Sequence, residues 1–273
     1  PNKVVPIIFV PGIMGSNLKA SQDIMDGDKQ VVVQANKPVW RVDGVRSLLP
    51  WLSKDQAEYQ LRLRSDQVAV DDRGEIPTEG FLIFRSHHTP HAQLTVDEAR
   101  SRGWGEVSAM FYLEFLDWLH HWLNSPAKDP SRGCKDNPSL VSLKHQHVGS
   151  NPLGTLSNLT GQPLTEEDME LVLHYDNPVH AFGYNWLQSN AESGRALKRR
   201  IDEVIAHYRQ LDRSCDQVIL ITHSMGGLVA RAACKLHGAE TQVAGIFHGV
   251  MPTDGAAATY KRMVSGFAGE GGS

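Results

Sequence analysis

The sequence predicts an α/β fold: a mostly parallel sheet with helices on both faces, interrupted by a large insertion. Three observations predict it. Short, wholly apolar, β-rich runs occur near the start and again towards the end of the chain, each stopping at turn or polar residues. Apolar stripes at helical spacing lie between the later runs. A long stretch rich in His, Pro and Asn separates the first run from the others.

The elements follow in order. Val4-Val5-Pro6-Ile7-Ile8-Phe9-Val10 is the first buried strand and ends at Pro11-Gly12. Residues 21–174 form the expected insertion or cap, which splits a core made of 1–20 and 175–273. Within it, Met110 to Leu123 reads as a helix with nearly every face apolar or aromatic, suited to core packing or to a lid or acyl-binding wall. Val179–Tyr184 is a weaker strand. Ser189 and Glu192 have capping-box spacing, and Leu197, Ile201, Val204, Ile205 and Tyr208 continue a helix, with Lys198, Arg199 and Arg200 on its solvent face. Gln217–Thr222 is an apolar strand, Leu228, Val229, Ala232, Ala233 and Leu236 mark a second helix, and Val243–Val250 is a further strand. This βαβαβ series implies right-handed parallel crossovers.

The chemistry concentrates at Thr222-His223-Ser224-Met225-Gly226-Gly227, between a buried strand and a helix of small residues. A nucleophile elbow needs a sharp strand-to-helix turn that lifts the serine hydroxyl above the sheet, with small neighbours where backbones approach. Gly226 supplies the position two after the serine, while Thr222 stands where a glycine is usual. In this context Ser224 is better explained as a nucleophile than as a helix N-cap. The fold is therefore expected to be an α/β-hydrolase fold, and Ser224 its nucleophile.

Acyl transfer through a tetrahedral intermediate needs two backbone donors aimed at one oxygen. Met225, the residue after the nucleophile, is the first, and the new helix turns its positive end the same way. The second is expected from Val10-Pro11-Gly12-Ile13-Met14-Gly15-Ser16, where Ile13 N–H is our choice. A plain strand-ending turn is the competing reading of this loop.

Val-Pro-Gly-Ile-Met-Gly-Ser-Asn-Leu at 10–18, Gly183-Tyr184-Asn185-Trp186 and His223-Ser224-Met225-Gly226-Gly227 together resemble three landmarks in matching order. They are those of lipid acylhydrolases related to lecithin:cholesterol acyltransferase and the GPI-inositol deacylases. Arg102-Gly103-Trp104-Gly105-Glu106 and the stretch Pro252 to Arg262 resemble a bacterial branch that includes lipase effectors of the type VI secretion system. The resemblance covers 1–20 and about 180–265. It implies hydrolysis of a lipid carboxylic ester, such as a glycerophospholipid, with Ile13 and Met225 as the oxyanion pair. It also implies an effector made in the bacterial cytoplasm that acts as a toxin in a target cell's periplasm or membrane, and a cognate immunity or inhibitor protein as partner.

A serine nucleophile needs a histidine base and an orienting acid, which follow it in this fold. After Ser224 come two histidines, His237 and His248, neither placed for the base, and the carboxylates of Glu240, Asp254, Glu270 and the chain terminus. Asp254 is the fallback acid, a turn Asp before glycine being the competing account. The base and true acid are thus expected beyond Ser273 or on a second chain. The first residues carry no signal-peptide regions, and without an initiator Met the start is expected to be processed or trimmed.

A net charge of −4 gives no electrostatic case for nucleic acid, and no apolar run reaches the ~20 residues of a spanning helix. Cys134, Cys215 and Cys234 are too far apart to suggest more than one disulfide or free thiols. His87-His88-Thr89-Pro90-His91, His145-Gln146-His147 and Asp71-Asp72-Arg73-Gly74-Glu75 lack the spacing of a zinc or EF-hand signature, so no metal or other cofactor is expected. Two rival readings stand beside the lipid hydrolase: an acyltransferase, and a non-catalytic module that uses the fold to bind a partner or membrane.

Overall fold

A computed structural model describes residues 3–27, 30–52, 54, 56–76, 94–124, 175–257 and 259–261. The two histidine clusters, Cys134 and the glycine-rich end lie outside these residues.

The strands are β1 (Ile7–Val10), β2 (Leu18–Ala20), β3 (Ile24–Asp26), β4 (Gln30–Val33), β5 (Pro38–Trp40), β6 (Val68–Val70), β7 (Val179–Ala181), β8 (Val218–His223) and β9 (Val243–Gly249). The helices are α1 (Val45–Leu52), α2 (Gln56–Arg62), α3 (Val96–Ser101), α4 (Glu114–Asn124), α5 (Asn190–Gln210) and α6 (Gly226–His237). Four strands form one parallel sheet in the order β7-β1-β8-β9. The sheet, with helices on both faces, bears out the predicted architecture.

Side chains alternate across a strand, so β1 feeds two layers. Ile8 and Val10 join Val218, Leu220 and the apolar stripes of α5 and α6 in one core. Ile7 and Phe9 turn the other way, onto Trp104, Leu113 and Leu116. The helix expected over 110–123 begins as a π-helical turn, Ala109–Leu113, and continues as α4. Leu113, Leu116 and Leu119 bury one side of it, while Met110, Phe111 and Trp118 are exposed on the other. Both uses foreseen for an all-round apolar helix are therefore available to it.

Described residues of the stretch expected as an insertion, among them Ile24, Trp40 and Val68, belong to the core. β2 pairs antiparallel with β5 and β6, and Trp40 packs between Trp51 and Trp186, with ring centroids 5.0 and 5.8 Å apart. The boundary expected at residue 20 thus falls at the end of a strand whose partners lie within the insertion.

Two local readings need correction. Ser189 caps α5 by accepting the Glu192 N–H at 3.2 Å, but the described capping box with both reciprocal bonds is at Thr95 and Glu98 before α3. Arg200 is not on a solvent face. It reaches 2.5 Å from the Glu106 carboxylate and also donates to Ala181 O at 3.3 Å, because helix α5 packs that side chain towards the end of β7. Burial pushes the Glu106 carboxyl above its usual range, the nearby Arg200 guanidinium opposing that shift.

Cys215 and Cys234 are free and buried. Among the described residues no helix is long and apolar enough to cross a membrane, and none group as three or more potential metal ligands. Asp71 is engaged otherwise: it pairs with Arg41 and accepts the Arg73 N–H at 3.1 Å.

Candidate active site at the end of strand β8

The strand β8 ends in a strained turn. Ser224 has φ 51°, a left-handed conformation that a non-glycine residue adopts only at some cost. Its N–H donates to Gly249 O at 2.8 Å, and its carbonyl accepts the Gly227 N–H at 3.0 Å. The chain then passes directly into α6. Gly226 is required by close approach, since a Cβ there would come within 2.4 Å of Val10 O and 2.5 Å of Pro11 O. That contact seats the elbow against the start of the loop after β1.

Thr222, the departure from the glycine pattern, is buried and turned towards β9. Its hydroxyl lies 2.9 Å from His248 Nδ1 and 3.4 Å from Phe247 O. The larger side chain is accommodated because β9 supplies polar partners for it. This also accounts for His248, an exposed residue of β9 engaged with Thr222. His237, in the last turn of α6, has Nε2 2.7 Å from Ala191 O, far along the helix from Ser224.

The loop after β1 is tied down by its carbonyls. Tyr184 Oη donates to Pro11 O at 2.9 Å, Trp40 Nε1 to Met14 O at 2.8 Å, and Trp186 Nε1 to Ser16 O at 3.2 Å. Ser16 Oγ in turn accepts the Tyr184 N–H at 3.0 Å. Gly183-Tyr184-Asn185-Trp186 therefore acts as a buttress beneath this loop, and Asn185 reaches Ser65 O at 3.0 Å to extend it. Burial raises the Tyr184 phenol well above its ordinary value, so it stays a donor.

Backbone N–H groups within the loop are treated differently. Gly15 N–H closes a turn onto Gly12 O at 3.0 Å. Among the described residues, Ile13 N–H and Met225 N–H donate to no protein acceptor, and Ser224 Oγ makes no hydrogen bond. Gly12 lies so close to the elbow that a Cβ on it would be 3.1 Å from Ser224 Cβ. Ser224, Ile13 and Met225 are thus brought to one place. Asp254 is not: it lies in an exposed turn closed by Gly255 N–H on Pro252 O at 3.1 Å, with no hydrogen bond or ion pair among the described residues.

The resemblance read from the three motifs holds. Residues 173–268 match the family described as the PGAP1-like alpha/beta domain. The fold is an α/β-hydrolase fold. A chain from the crystal structure of the Tle4–Tli4 complex is similar to this chain, with 30% identity and a TM-score of 0.70 over 98% of this chain and 50% of that one. The chain accordingly spans half the length of that relative. None of the curated proteins matches it.

Sequence reasoning missed Tyr112 of the π-helical turn. Its hydroxyl accepts the Gly12 N–H at 3.3 Å and lies 3.0 Å from His223 Nδ1. Nothing in the sequence separates it from the aromatic residues around it, because its role depends on a contact across more than a hundred positions.

Proposed function

We propose that the protein is a serine hydrolase of lipid carboxylic esters, a phospholipase in which Ser224 attacks the ester carbonyl. The attack gives a tetrahedral oxyanion held by the Ile13 and Met225 N–H groups; its collapse expels the alcohol and leaves an acyl-enzyme that water hydrolyses. The observation that carries this reading is the pair of unengaged N–H groups beside a serine at φ 51°. Donors with no protein acceptor among the described residues, one in a loop held through the carbonyls of Pro11, Gly12 and Met14 and one at the start of α6, are suited to an oxygen that appears only during reaction.

The histidine base and its acid are contributed by residues other than those described around Ser224, with Asp254 the fallback acid. The three-motif resemblance and the similarity to a chain of the Tle4–Tli4 complex support a secreted antibacterial effector of the type VI kind. They also support a dedicated immunity protein that binds it, and action at a target-cell membrane. No nucleic acid, metal or cofactor enters this reading.

The test is incubation of the full-length protein with phosphatidylethanolamine and phosphatidylglycerol vesicles, followed by analysis of the products. Release of free fatty acid that is lost in Ser224→Ala supports the hydrolase. Transfer of the acyl group to added alcohol without net fatty-acid release points instead to an acyltransferase. Intact lipid in every condition favours the non-catalytic module.

A further inference from the structure

The segment leading into α4 is fastened to the loop after β1. Asn17 N–H donates to Glu106 O at 2.8 Å, Ser108 N–H to Gly15 O at 2.9 Å, and Ser16 and Val107 form an antiparallel bridge. Asn17 Nδ2 adds bonds to Gly105 O and Val107 O at 3.0 and 2.9 Å. From this anchor the chain enters the π-helical turn Ala109–Leu113. Such wide turns change how successive side chains fan around a helix and recur at functional sites. Here Leu113 enters the core, Phe111 points to solvent, and Tyr112 lies across the elbow.

Tyr112 is seated by its ring as well as its hydroxyl. The ring is 5.0 Å from that of Phe9 and 5.8 Å from that of His223. Gly15 has no room for a side chain, because a Cβ there would be 2.8 Å from the Tyr112 hydroxyl. A phenol has one hydrogen and two lone pairs, so it can accept the Gly12 N–H and still bond His223 Nδ1.

Gly12 is consequently held at both ends: its N–H by Tyr112 and its carbonyl by Gly15 N–H. The Gly12 carbonyl and the Ile13 N–H share one planar trans peptide and point in opposite directions. Fixing the carbonyl on the Gly15 side therefore aims the Ile13 N–H away from it.

We infer that Tyr112 is a positioning residue whose hydroxyl ties the loop after β1 to His223, and so sets the aim of the Ile13 N–H relative to Ser224 Oγ. This rests on Ser224 being the nucleophile. Tyr112 does not react; it acts through Gly12 and His223.

The test compares wild type with Tyr112→Phe in the full-length protein. Three quantities are measured: kcat and KM on the soluble ester p-nitrophenyl butyrate, the rate of fluorophosphonate labelling, and amide exchange at Gly12. Phe keeps the ring packing and removes only the oxygen. A small misplacement of an oxyanion donor lowers kcat by roughly 10- to 100-fold. A change confined to the transition state leaves KM within about twofold. Labelling slows in parallel, and Gly12 exchanges faster while amides within β8 do not. Unchanged kcat and labelling in Tyr112→Phe overturn the inference, as does a variant that melts earlier but turns over normally. Wild type that neither turns over the ester nor labels would instead remove the serine-hydrolase reading and this inference with it.

Discussion

The Tyr184 hydroxyl donates to the carbonyl of Pro11 at 2.9 Å, joining the third residue past β7 to the first residue after β1. Both groups are buried, so each would lose a bond that water cannot replace. Tyr184→Phe is expected to destabilise the protein by about 1–3 kcal/mol. It should also lower kcat on a soluble ester, since Pro11 precedes the loop that carries Ile13. Denaturant titration and steady-state kinetics on one preparation check both effects.

The close seat of Gly226 predicts a second outcome. Gly226→Ala would press a methyl group into Val10 O and Pro11 O, which are backbone atoms that cannot rotate away. Overpacking of this kind costs about 1–3 kcal/mol. The larger effect should be on activity, because the two loops that present Ile13 and Met225 must separate. Labelling of Ser224 should fall further than stability does.

His180 makes stability depend on pH. Burial, aided by the nearby Arg102 and Arg200 charges, pulls its imidazole down to about 3, and Nε2 lies 2.9 Å from Tyr208 Oη. In the unfolded chain the ring titrates near its ordinary value of 6.5. Between these values the unfolded state binds the proton that the folded state refuses, so stability is full above 6.5 and is lost as pH falls towards 3. The slope from this residue approaches about 1.4 kcal/mol per pH unit. Stability curves at pH 7 and pH 5 should converge in His180→Gln.

Arg200 and Glu106 predict a coupled loss. Their side chains are largely buried and Glu106 also accepts the Gly183 N–H at 2.9 Å. Arg200→Met should cost about 3–5 kcal/mol by leaving a buried carboxylate without its partner. Adding Glu106→Gln should recover part of that loss, since no charge is then stranded. A double-mutant cycle measured by denaturation tests the coupling.

What could be read from the sequence follows from range. β1, β8 and β9 are continuous apolar runs, and α5 and α6 carry helical periodicity, so each announces itself within a few residues. The elbow was legible for the same reason, as strand, turn and helix are contiguous there. Arg200 was misread because the group that draws it inward, Glu106, is remote in sequence. β2, β5 and β6 span three residues each, too few for a period to register. Thr222 looked like a defect until His248 and Phe247 were seen beside it. The function of Tyr184 and Trp186 as a buttress, and of Tyr112 as a tie, arises only when distant segments meet.

The central claim is that Ser224 is an activated nucleophile. The most direct measurement is intact-mass and peptide analysis of the full-length protein after exposure to a fluorophosphonate. The account predicts one stoichiometric adduct, located on Ser224 and absent from Ser224→Ala. An unmodified wild-type protein, or equal labelling after Ser224→Ala, would contradict it.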